Sequence, residues 1–203
     1  MKRKKIFLLT LLIIGTMLWA KNCMPLEFPW SDHYKWYYKK ADKYKGWKYI
    51  VIHHSATQAG SVKAFHTFHT QQGYGGIAYH FVIGNGHGMP DGAVQATFRW
   101  KKQIAGTHVS GNAWNHNVFG IGICLVGNLE KSPPTKAQIA SLLKLIDMLK
   151  QTYDITANNI VGHKHVKSSN TSGRTEKTAC PGKKLDIAKV RALSNHYHAA
   201  AKK

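Results

Sequence analysis

Apolar and polar positions recur along most of the chain at spacings that name its elements. Trp47 to Ile52 is a β-rich apolar run and predicts a strand ending in His53-His54-Ser55. Ser61 can cap a helix over Val62 to Gln72, with Phe65 and Phe68 on one face and Gly73 as the stop. Tyr79 to Ile83 predicts a second strand, Gly84 to Gly92 is rich in turn residues, and Val94 to Phe98 predicts a short third strand. Val118 to Val126 predicts a buried strand through Ile121, Ile123 and Leu125. The plainest signal runs from Thr135, a candidate cap, to Tyr153. Ile139, Leu142, Leu143, Ile146 and Leu149 recur there at the helical period of about 3.6. Leu185 to Leu193 predicts a last helix. Strands interleaved with helices predict a single α/β layered domain.

A different pattern lies ahead of these elements. Met1 to Lys5 is basic, and Ile6 to Ala20 is an apolar run of 15 residues. A membrane-spanning helix needs about 20 apolar residues, so the run has the form of a secretory signal cleaved near Ala20. An uncleaved N-terminal anchor is the second reading. Asn22 directly before Cys23 makes a poor lipid-attachment signal. The expected organisation is a leader over residues 1–20, a basic aromatic-rich tether over 21–46, one domain over 47–195 and a basic tail over 196–203. Export would put the working protein in the periplasm, the cell envelope or outside the cell.

Charge changes the picture next. The chain has 29 Lys+Arg against 9 Asp+Glu, a formal net charge of +20, and such a field attracts polyanions. Charge alone does not choose among nucleic acid, anionic lipid and acidic cell-wall polymer. Export removes nucleic acid from the expected partners, favours the cell wall, and leaves N-terminal membrane contact open. A monomer is expected. The three cysteines, Cys23, Cys124 and Cys180, are not the even, denser set of a disulfide framework, although Cys23 could pair with either of the others. Cys124 sits in an apolar run and reads as a small buried hydrophobe. Cys180 sits in the polar stretch Lys177 to Gly182, where a metal-ligand role is the sharper reading.

With 13 histidines, position matters more than number. His53 closes a predicted strand, a rigid place to present a ligand, and strand alternation turns His54 to the opposite face. His163 closes a short extended segment, and Cys180 follows 17 residues later. Two neutral imidazoles and a thiolate, with a fourth position open to water, make the catalytic pattern of zinc. Spacing does not select these three, since His54 and His165 could serve as well.

Five segments supply the missing context. They are Tyr49 to Thr57 (YIVIHHSAT), Ala78 to Ile83 (AYHFVI), Asn115 to Ile123 (NHNVFGIGI), Val161-Gly162-His163, and Thr178 to Gly182 (TACPG). In this order, over roughly Lys48 to Leu193, they resemble the type-2 N-acetylmuramoyl-L-alanine amidase family, which includes phage endolysin amidases and animal peptidoglycan recognition proteins. The resemblance implies a mixed central sheet with helices on both faces and a groove over zinc (Zn2+) at the strand ends. It implies zinc ligands at His53, His163 and Cys180 and an active-site tyrosine at Tyr79. The family carries Lys or Thr two residues before the last ligand, a position held here by Thr178 with Lys177 beside it. His108 and Asn117 are implied substrate contacts, and His54 and His69 are further candidates for the groove. Two departures stand out. Ile123 to Gly127 holds no carboxylate where some relatives carry a catalytic Glu, and His165 to Glu176 is longer and richer in Ser and Thr than the family's usual connection.

The expected chemistry is amide hydrolysis. Zinc lowers the pKa of bound water toward about 7 and polarises the carbonyl. Tyr79 would hydrogen-bond the water or the tetrahedral intermediate, and Thr178, supported by Lys177, would face the oxyanion. His54, His69 and Tyr79 are the candidate proton donors to the leaving amine. The competing reading is a peptidoglycan-binding module that does not cut. Such modules often lack the cysteine ligand, so Cys180 argues for the enzyme.

Overall fold

The computed structural model describes residues 46–110, 113–167 and 177–200, the last five by backbone alone. Alternation along the first strand, β1 (Tyr49–His54), divides the molecule into two faces. Ile50, Ile52 and His54 turn to one side, and Tyr49, Val51 and His53 to the other. β1 lies parallel between β4 (Gly120–Leu125) and β5 (Ile160–Gly162). β2 (Phe81–Ile83) runs parallel to β4, and the edge strand β3 (Val94–Ala96) runs antiparallel to β2. The sheet order is therefore β3-β2-β4-β1-β5, mixed as expected.

Register puts Ile50 beside Ile121, Ile52 beside Ile123 and His53 beside Cys124. The isoleucine face is fully buried. It is covered by α4 (Lys136–Tyr153) and α5 (Ile187–Ala200), which pack on each other. Each fully buried Ile or Leu contributes roughly 1.5–3 kcal/mol, and a one-residue slip would exchange that face with the one carrying His53. Thr135 closes a capping box with Gln138, whose side-chain amide donates onward to Ile83 O and Val126 O. On the other face, Phe65 from α1 (Val62–Gln71) packs in one cluster with Val82 and Cys124. Val51 packs there with Val109, Ala113 and Val166. Helices thus lie on both faces, in a mixed α/β domain.

Several boundaries differ from expectation. Phe68 does not share the buried face of α1. It is 56 % exposed, and His69, four residues after Phe65, takes the inward position. The third strand ends at Ala96, because Thr97 caps a short helix, α2 (Phe98–Lys102), with its hydroxyl accepting from Arg99 N–H. Another short helix, α3 (Trp114–Val118), precedes β4. The last helix runs to Ala200, through residues expected to be tail, because His196 to Ala200 contains no breaker. The predicted leader and all but Gly46 of the tether lie outside the described residues. Among the described residues no helix is long and apolar enough to cross a membrane.

Candidate functional site

His53 reaches the site because it is the last inward-facing residue of β1. His163 opens the short 3-10 turn that follows β5, one strand away. Cys180 arrives from a distant segment that is strapped down by main-chain bonds. Lys164 N–H donates to Cys180 O at 2.7 Å, Gly182 N–H to Ala179 O at 2.7 Å, and Lys184 N–H to Leu129 O at 2.9 Å. The ligand atoms of His53, His163 and Cys180 all lie within 4.8 Å of one another. His53 Nδ1 stands 3.5 Å from Cys180 Sγ, and the His53 and His163 rings meet edge to face at 4.8 Å.

This donor set fits a zinc ion. Bonds of about 2.0–2.3 Å to a tetrahedral ion put its ligand atoms roughly 3.3–3.7 Å apart, close to the spacing seen between His53 and Cys180. Burial, reinforced by His108 and His163, holds the His53 imidazole well below its ordinary pKa and therefore neutral, as a ligand must be. Burial pushes the Cys180 thiol up to about 12, partly offset by the His54 N–H and Lys164, so an incoming cation would have to displace its proton.

Tyr79 lies just before β2, partly buried, with its ring 5.1 Å from that of His53. Burial, with Cys124 and Cys180 nearby, raises its phenol well above 10, so it is a donor at neutral pH. His69 stacks edge to face on Tyr79 at 5.4 Å, and its Nδ1 accepts from Ala78 N–H. Thr178 turns its hydroxyl oxygen to Cys180 N–H at 3.2 Å, and Lys177 is exposed.

Three predicted contacts stand elsewhere than a groove wall. The His54 ring is on the face of the sheet that α4 and α5 cover, opposite His53, and its Nδ1 accepts from Leu129 N–H at 2.9 Å. His108 is buried behind His53, with its Nδ1 at 3.1 Å from His53 Nε2 and its Nε2 at 3.2 Å from Gly120 O. Asn117 spends its amide on the loop that carries His108: Oδ1 accepts from His108 and Val109 N–H, and Nδ2 donates to Val109 O.

Two residues that the sequence did not single out complete the setting. Arg99 is buried and donates to Ile77 O, Ala105 O, Tyr74 O and Thr107 Oγ1, clamping the chain before Tyr79 to the chain before His108. His80 is fully buried, with Nδ1 accepting from Gly122 N–H and Nε2 against Ile104 O. Arg99 left only a weak sign, a lone charge between Phe98 and Trp100. A cavity of about 460 Å3, lined in part by Gln58, Asn85, His87, Asn128 and Lys131, takes none of the cluster residues into its wall.

Residues 43–183 match the family model described as N-acetylmuramoyl-L-alanine amidase. The chain belongs to that amidase family. Within it, the chain is similar to the endolysin of Klebsiella phage KP32, at 34 % identity over 112 residues, 51 % of this chain and 67 % of the relative. It is also similar to peptidoglycan-recognition protein SC2 of Drosophila melanogaster, at 30 % identity over 159 residues, 72 % of this chain and 74 % of that one. Among solved structures, the N-acetylmuramoyl-L-alanine amidase LysC from Clostridium intestinale superposes with a TM-score of 0.59 at 27 % identity, covering 74 % of this chain and 86 % of that one. The family match supports an amidase-type activity, and the His53, His163 and Cys180 side chains together could hold a metal ion.

Proposed function

We propose that the protein is a zinc-dependent N-acetylmuramoyl-L-alanine amidase, which hydrolyses the amide between the muramyl lactyl group and L-alanine of peptidoglycan. The convergence of His53, His163 and Cys180 beside Tyr79, in a member of this family, carries the reading. Zinc held there would supply an activated water at neutral pH and polarise the scissile carbonyl.

The chain's own groups supply the rest. The protonated Tyr79 phenol can donate a hydrogen bond to charge that develops on the carbonyl oxygen. The Thr178 hydroxyl oxygen accepts from Cys180 N–H, so its hydrogen remains free to donate. Lys177 is exposed three residues before Cys180 and would add positive charge near it. The leaving amine needs a proton. The His54 ring faces away, which leaves Tyr79 and the adjacent His69 to deliver it.

Digestion of peptidoglycan with and without a chelator, followed by mass spectrometry of the muropeptides, tests the reading. Free stem peptides beginning with L-alanine are expected only with metal. An intact lactyl–alanine linkage in the zinc-loaded protein would leave binding without cleavage, the second reading, which the recognition-protein relative favours and Cys180 opposes.

Peptidoglycan is accordingly the proposed partner, with anionic wall polymers as a second one that the charge of +20 would attract. Retention on purified sacculi should weaken as salt rises. Export through the leader is proposed from its basic start and apolar run. Fractionation of cells expressing the full chain, with N-terminal sequencing of the product, tests it.

A further inference from the structure

We infer that His108 is a positioning residue of this site: it fixes His53 in the tautomer that turns the Nδ1 lone pair toward Cys180 and His163. The inference rests on the metal reading above only for its consequence, since the tautomer is a property of the protein itself.

Gly120 O is a carbonyl oxygen and only accepts, so His108 Nε2, 3.2 Å away, must carry hydrogen. A neutral imidazole carries one N–H, which leaves His108 Nδ1 as a lone pair. His53 Nε2, at 3.1 Å, must then be the donor. His53 Nδ1 is left bare, and that is the atom 3.5 Å from Cys180 Sγ. One backbone carbonyl thereby sets two rings in series, and the second ring presents its lone pair to the metal cluster.

The surroundings are shaped for this arrangement. A Cβ on Gly122 would come within 2.5 Å of His108 Cδ2, and a Cβ on Gly106 would collide with the same atom. Any larger residue at either position would push the ring out of line. Asn117 pins the His108 backbone through two N–H groups. His108 is 5 % exposed. Ring, glycine slot and amide clamp together leave the imidazole one orientation.

Two substitutions separate the two bonds of His108. His108→Asn keeps an acceptor near the Nδ1 position and loses the donor to Gly120 O. His108→Gln keeps a donor near the Nε2 position and loses the acceptor for His53. Zinc affinity, measured by competition with a chromophoric chelator, should weaken about 10–100-fold in His108→Gln and much less in His108→Asn. Long-range 1H–15N NMR of the metal-free wild type should show His53 protonated at Nε2, and His108→Gln should lose that preference. Equal zinc affinity in wild type and a folded His108→Gln, the reverse order of the two variants, or a His53 proton on Nδ1 in the wild type would each overturn the inference. If either variant fails to fold, the wild-type tautomer alone decides. A wild type that binds no zinc while showing the Nε2 tautomer would sink the zinc reading and leave the positioning intact.

Discussion

The backbone N–H of His54 points at Cys180 Sγ, 3.4 Å away, across 126 residues of chain. The same residue pair that ends β1 therefore serves the site twice: His53 through its ring and His54 through its main chain. Because that donor is backbone, it survives any change at His54 except to proline. We expect Cys180→Ser to keep the fold, since the strap bonds of Lys164, Gly182 and Lys184 are also main-chain. Its oxygen stays protonated where sulfur would ionise, so metal content after dialysis should collapse and cleavage should fall by roughly 100-fold or more. Full cleavage by this variant would remove the thiol from the site.

Tyr79→Phe should separate chemistry from metal binding. The ring remains packed against His53 and His69, so stability and zinc content should hold. Losing one donor to a developing oxyanion costs on the order of 100-fold in kcat. KM should change little, and a kcat within a few-fold of wild type would show that the hydroxyl is idle.

Arg99→Lys tests the clamp behind both Tyr79 and His108. One ammonium cannot span Ile77 O, Ala105 O, Tyr74 O and Thr107 Oγ1, which the guanidinium fork reaches together. Carbonyls left unpaired should cost about 2–4 kcal/mol in denaturant unfolding. Activity should fall as well, because the segments that carry Tyr79 and His108 lose their tie. A variant with wild-type stability would show that solvent replaces these bonds.

The pH dependence of stability should carry the signature of His80. Its neutral ring accepts from Gly122 N–H and donates to Ile104 O, and burial lowers its pKa to about 4 from an ordinary 6.5. The unfolded chain therefore takes up a proton first as pH falls. The contribution is complete above about pH 6.5, declines by roughly 1.4 kcal/mol per pH unit toward pH 4, and is exhausted below it, about 3 kcal/mol in all. Unfolding titrations from pH 7 to 4 measure the slope, and His80→Gln should make it shallower without abolishing it, because burial also lowers the pKa of His53 and His108.

Much of this molecule was legible from pattern. The period of Leu142, Ile146 and Leu149 and the Thr135 cap placed α4 to within a residue. Alternation in Tyr49–His54 assigned His53 and His54 to opposite faces, as found. Ordered motifs picked out His53, His163 and Cys180, which the structure brings together. These features are local, or are carried by short segments whose own composition sets them. Phe68 was misread for the same reason: two aromatics three apart suit one helix face, but only the sheet decides which side of α1 is covered. The bonds made by His108, Asn117, Arg99 and His80 lay beyond sequence reasoning, because each runs to a backbone group on another segment. A His beside Gly120 O and a His at a groove wall look alike in a string of letters. The sequence by itself determined most of the elements, the family resemblance and the choice of His53, His163 and Cys180 as a group. Only the tertiary structure decided that His108 stands behind His53 and that Arg99 holds the surrounding loops. Such roles depend on which carbonyl meets which ring, and that is settled when the sheet and its loops pack.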